Sequence, residues 1–158
     1  MREFDFPLVM DNTVLQAAVE HIAHRSVALA QTVLGRTLDL DTICLFAHSA
    51  EEYAFVEQAV RARGPVSKFS HGPTLYVDVD LMMADWHIRM FGVRAPDPNR
   101  PWRGYGDFPV DDYAALVQST VTNPYIREIT SGRGQPLLEL KHPDFDVLGF
   151  VVQAKDHH

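Results

Sequence analysis

The segment "APDPNRPWR", residues 95–103, does most to constrain the fold. Its three prolines, Pro96, Pro98 and Pro101, fix φ and remove backbone donors. Neither a helix interior nor a central strand can run through it. It reads as a crossing linker, and the order of elements repeats on its two sides. Before it, "DTICLFAH" (41–48) reads as a central strand, apolar on both faces. "SAEEYAFVEQAVRARG" follows as a helix, with a capping box at Ser49 and Glu52 and a stop at Gly64-Pro65. "VSKFS", "TLYVDVD" and "WHIRMFGVR" read as three strands, with "HGP" turning between the first two. After the linker come a strand, "GYGDFPV", a helix, "DDYAALVQSTV", and three more strands, "YIREIT", "PLLELKH" and "FDVLGFVVQ".

Ahead of both runs lies "DNTVLQAAVEHIAHRSVALAQTVLG", a long helix capped by Asn12 or Thr13 and stopped by Gly35. Val14, Ala18, Ile22, Leu29 and Val33 share one of its faces. The expected fold class is α+β, with paired βαβββ modules and an extra N-terminal helix. The chain is expected to be a single domain over 1–158. Its parts are the helix at 1–39, module one at 40–94, the linker at 95–103 and module two at 104–153. Each helix would cover one face of a small curved sheet, leaving a cleft between the other faces.

The 158 residues carry a formal net charge of −7. That argues against non-specific binding to nucleic acid or anionic membrane, while a local basic patch stays possible. The single cysteine, Cys44, excludes an intrachain disulfide and fits a reducing compartment. In "TICLF" it reads as an inert core thiol. No signal-peptide pattern and no apolar run long enough for a bilayer is seen, so a cytoplasmic protein is expected. His157 and His158 read as the remnant of an expression tag and are set aside from site reasoning.

The pieces "LDLDTICL", "WHIRMFGVRAPDPNRP", "GYGDFPV" and "LELKHPDFDVLGFVV" resemble the vicinal oxygen chelate superfamily, which includes glyoxalase I, bleomycin-resistance proteins and extradiol dioxygenases. The resemblance is to its YecM-like branch in particular and covers roughly residues 14–153. It implies a cleft with a divalent metal held from the first and fourth strands of each module. Carried over position by position, those ligands fall at Thr42, near Gly92, at Asp107, and at Glu139 or around Gly149. Only Asp107 and Glu139 have side chains suited to a metal. Two carboxylates without an imidazole make a weak transition-metal site, so no metal and no cofactor are expected.

Asp107 lies near the head of the strand "GYGDFPV". A carboxylate in an apolar cleft accepts a ligand hydrogen bond, or acts as a base with its pKa raised by desolvation. The alternative is that it pairs with an arginine or caps backbone N–H groups. His48, at the end of the first strand, is the other catalytic candidate. Arg89, His71, Tyr76, Thr42 and Glu139 are candidate ligand-binding residues. Arg89 stands out because an unpaired guanidinium among apolar strand neighbours is costly; it is matched to Asp107 or to an anionic ligand. Tyr76 and Asp78 bind only if their face of the strand is the concave one, which alternation leaves open. "RAPDPNRPWRGYG" mixes arginines with aromatics and could touch an anionic partner.

The functional expectation is a small-molecule-binding cleft. It would belong to a metal-independent isomerase, cyclase or lyase acting on a carbonyl- or hydroxyl-bearing metabolite. A ligand-sequestering protein of the resistance type, or a partner-binding module, are the alternatives. A homodimer is expected, with no nucleic-acid or membrane partner.

Overall fold

A computed structural model describes residues 4–154; His157 and His158 lie outside them. Helix α1 (Asn12–Leu34) leads. Its cap is Asp11, one residue before the expected Asn12 or Thr13, and the Asp11 carboxylate accepts from the Val14 N–H at 2.8 Å. Gly35 ends it in the left-handed region at φ 72°, where glycine carries no Cβ penalty. Ile22, Leu29 and Val33 are buried with Leu15, Val19, Ala23 and Ala30, and Val14 and Ala18 flank them half-buried. Each aliphatic side chain buried in full contributes roughly 1.5–3 kcal/mol of transfer free energy.

Strand β1 (Thr42–Phe46) follows, then α2 (Ala50–Arg61), β2 (Thr74–Met83) and β3 (Trp86–Arg94). Beyond the proline segment come β4 (Gly104–Val110), α3 (Tyr113–Ser119), β5 (Ile126–Thr130), β6 (Pro136–Leu140) and β7 (Leu148–Gln153). The second run is the full βαβββ. In the first, "VSKFS" forms no strand and makes only the isolated bridge of Val66 with Val77. The reason is local. The Ser67 hydroxyl accepts the Phe69 N–H at 3.1 Å, which turns the chain just after Gly64-Pro65.

Among the described residues all seven strands form one sheet in the order β2-β3-β1-β4-β7-β6-β5. Each run folds alike: its first strand pairs in parallel with its last, β1 with β3 and β4 with β7. The two first strands pair antiparallel at the centre. The helices and the larger core lie on one face, which takes Ile43 and Leu45 of β1, Phe91 and Val93 of β3, and Phe108 of β4. α1 sits close over β4, where a Cβ on Gly106 would come 2.8 Å from the Ser26 Cβ. The other face carries a separate aromatic cluster built on Cys44, Phe46, Phe69, Tyr76, Met90, Tyr105, Leu148 and Phe150.

The first run and the proline segment are tied by a buried ion pair. Glu52 of α2 is fully buried and accepts from Arg103 Nη2 at 2.9 Å. The same carboxylate accepts the Val9 and His48 N–H groups, each at 2.7 Å. The capping box is therefore only half closed. Ser49 Oγ accepts the Glu52 N–H as expected, but Glu52 reaches His48 instead of Ser49. No helix among the described residues is long and apolar enough to cross a membrane.

Candidate functional site

Strand pairing puts seven residues in one row across the whole sheet: Asp78, Met90, Thr42, Asp107, Phe150, Glu139 and Arg127. Paired neighbours project to the same side. This row therefore crosses the face away from the helices. The sheet curls around that face until its two edges meet. At the meeting point, a Cβ on Gly132 would lie 2.6 Å from His71 Cδ2. Beside it, the Arg133 guanidinium stacks on the Phe69 ring, 4.0 Å from its centroid. Gly132 and Arg133 belong to the β5–β6 turn, while His71 and Phe69 precede β2, so this contact joins opposite ends of the strand order.

The curl encloses a cavity of about 300 Å³, and every one of the seven strands contributes to its wall. Phe46, Phe69, Tyr76, Tyr105 and Phe150 supply aromatic surface. Asp107, His71, Arg94, Arg100 and Arg133 supply the ionisable groups.

Asp107 is 9% exposed and stands at the centre of the curl, between Thr42 of β1 and Phe150 of β7. Its carboxylate influences its neighbours. Burial first, and the Asp107 charge second, push the Cys44 thiol well above its ordinary value. Burial likewise raises the Tyr76 phenol, with Cys44 and Asp107 adding to it. Both groups are thus held neutral, and Tyr76 keeps its proton as a donor. The His71 Nδ1 donates to the Phe69 carbonyl at 2.9 Å. A carbonyl only accepts, so the neutral ring must carry its proton on Nδ1, leaving Nε2 with a lone pair.

Gly92 has a structural role. The Tyr76 ring lies where a side chain at 92 would project, with a Cβ there falling 2.5 Å from Tyr76 Cδ1. The missing side chain is what lets Tyr76 lie flat on β3.

Among the residues singled out from sequence, Asp107, His71 and Tyr76 line the cavity, and Arg89, His48, Thr42 and Glu139 do not. Arg89 is exposed, one residue away from inward-facing Met90. The arginines at the cavity are Arg94, Arg100 and Arg133. His48 is exposed at the far end of β1, with its Nε2 at 2.8 Å from the Trp102 carbonyl and its ring edge-on to Phe6. Thr42 is fully buried and donates to Asp41 Oδ1 at 3.0 Å. Glu139 accepts from Arg127 Nε at 2.9 Å and borders a second hollow with Trp102 and Lys141. Asp78 is exposed.

The metal positions carried over from the resemblance do not fit a metal. Thr42 is committed to Asp41, and the space beside Gly92 is filled by Tyr76. Asp107 and Glu139 are separated by Phe150, roughly 10 Å apart by the spacing of strands. Among the described residues no group of three His, Cys, Asp or Glu side chains is placed to hold a metal ion.

No family model and no curated protein matches this chain in sequence. Solved structures match it in shape. A structural-genomics protein, EC4020, aligns over 99% of this chain and 96% of its own, at 14% identity and a TM-score of 0.59. The hypothetical protein BH1468 from Bacillus halodurans C-125 aligns over 75% of this chain and 95% of its own, at 13% identity and a TM-score of 0.46. A glyoxalase/bleomycin resistance protein/dioxygenase superfamily member from Vibrio splendidus 12B01 aligns over 74% of this chain and 99% of its own, at 14% identity and a TM-score of 0.45. At 14% identity the likeness to EC4020 is one of fold alone.

Proposed function

We propose that the chain binds a small molecule in the cavity of its curled sheet and moves a proton on it without a metal, as an isomerase, cyclase or lyase does. The observation that carries this reading is the wall itself. All seven strands converge on one aromatic-lined cavity that has a carboxylate, Asp107, at its centre. Such a cavity is the usual form of a small-molecule site. Asp107 is the base, His71 Nε2 the second proton carrier and Tyr76 a neutral donor to a carbonyl oxygen. A proton taken from the carbon beside that carbonyl and returned to a neighbouring atom leaves the ligand isomerised and the protein unchanged.

The aromatic walls also favour a second reading, in which the ligand is held and not transformed. The two readings differ in turnover alone. As part of the first, we assign the chain to the YecM-like branch of the vicinal oxygen chelate superfamily, a placement supported by the long helix α1 ahead of the two runs. We also propose a homodimer, supported by β2, which lies at an edge of the sheet with Leu81 and Met82 exposed. Sedimentation at micromolar concentration should show twice the chain mass, and a single-chain species would remove that part of the proposal.

A thermal-shift screen of a metabolite collection tests the binding. Val152 lines the cavity half-buried, and Val152→Trp fills it. Compounds should raise the melting temperature of the wild type, with and without EDTA, and leave Val152→Trp unmoved. Equal shifts in both proteins would place the ligand elsewhere.

A further inference from the structure

Resting on the reading of this cavity as a ligand site, we infer that its ligand is a planar ring bearing an oxyanion, a carboxylate or a phosphate, with a hydrogen-bond donor at the opposite end. Arg94, Arg100 and Arg133 hold the oxyanion and Asp107 accepts from the donor.

The arginines are under-neutralised. Arg94 and Arg100 share one carboxylate, Asp97, at 3.5 and 3.6 Å. Both distances are longer than the ~2.7–2.9 Å of a tight charge-assisted bond. Arg133 makes no ion pair with any described carboxylate and is held by stacking on Phe69. Among the described residues three guanidiniums therefore face two carboxylates, Asp97 and Asp107, in a chain whose total charge is −7. Arg94 and Arg100 are half-buried and Arg133 is exposed, so they form a cationic rim on an acidic protein. Arg94 shows its effect: burial first, then the neighbouring Arg100 charge, lowers its pKa. An anion arriving between the two guanidiniums relieves that repulsion. Each guanidinium offers a fork of donors that matches the paired oxygens of a carboxylate or phosphate.

The rest of the wall sets the shape and orientation. Tyr105 and Phe150 meet edge to face at 4.8 Å, and Phe46 stands 5.5 Å from Tyr105. These rings offer flat apolar surface, which a planar ligand covers best. A cavity of about 300 Å³ accommodates one ring with two short substituents. Asp107 repels an oxyanion, so the charged end is turned towards the arginines and a hydroxyl or amine is left at Asp107.

The probes are para-hydroxybenzoate, its neutral isostere para-hydroxybenzamide, and para-hydroxyphenyl phosphate. Titration calorimetry is run on the wild type, on Arg100→Gln/Arg133→Gln and on Val152→Trp, with circular dichroism confirming that each variant is folded. Para-hydroxybenzoate or para-hydroxyphenyl phosphate should bind the wild type at least about tenfold more tightly than the amide, and the stronger of the two tells carboxylate from phosphate. That preference should disappear in the double-arginine variant, and all binding should disappear in Val152→Trp. If the acid and the amide bind equally and both fail in Val152→Trp, the cavity reading stands and the oxyanion inference falls. If no probe binds the wild type, or Val152→Trp binds as well as the wild type, both fall.

Discussion

Tyr76 and Gly92 share one space on adjacent strands: a Cβ at position 92 would lie 2.5 Å from Tyr76 Cδ1 and 2.7 Å from the Leu75 carbonyl oxygen. The ring could swing away, but the Leu75 backbone could not. Gly92→Ala should therefore cost stability, by roughly the 1–3 kcal/mol of an overpacked core site, and weaken ligand binding by displacing Tyr76. Urea unfolding measures the first and titration the second. A variant as stable as the wild type would show that the sheet yields at this point.

Glu52 and Arg103 should behave as one unit. Glu52→Ala leaves a guanidinium buried at 3% exposure and orphans the Val9 and His48 N–H groups, so a loss of about 3–5 kcal/mol is expected. Arg103→Ala should be comparably severe, and the double variant much less than additive. Additive losses in urea unfolding would mean that the two groups act independently.

The fold was readable where periodicity spoke. Helix α1 and the largely apolar β1 each announce an element. The failures share a cause. "VSKFS" has strand composition, but one Ser67 hydroxyl turns it. Arg89 has the charge a cavity cation needs, yet the ladder that pairs Met90 with Thr42 turns Met90 and Arg94 inward and gives the cavity Arg94. Alternation says that two faces exist and not which of them is concave. His48 and His71 look alike as histidines beside strand ends, and only the curl of the sheet separates them. Glu52 and Arg103 lie 51 residues apart with no local pattern linking them. The proline segment did carry one usable hint: its mixture of arginine and aromatic residues included Arg100 of the cavity wall.

Cys44 and alkaline pH give a third check. Its folded pKa lies above its ordinary value of 9.0, raised first by burial. The unfolded chain therefore ionises this thiol first. The stabilisation is complete below pH about 9 and is lost as pH rises towards the folded value, with Tyr76 acting in the same direction further up. Native Cys44 should resist iodoacetamide at pH 9 while the unfolded chain reacts, and Cys44→Ser should flatten the first part of the alkaline loss of stability. Rapid labelling of the folded protein would contradict the burial of this thiol.

The measurement closest to the central claim is hydrogen exchange on a bound ligand. Compounds found by thermal shift are incubated with protein in deuterium oxide, and deuterium at carbon beside a carbonyl is followed by NMR. The wild type should wash deuterium into at least one of them. Asp107→Asn, which keeps shape and removes charge, should slow this by the ~10²–10⁴-fold typical of a general base while still binding the compound. Exchange at the same rate in Asp107→Asn, or none in the wild type with compounds that fill the cavity, would contradict the proton-transfer account and leave the chain a ligand-holding protein.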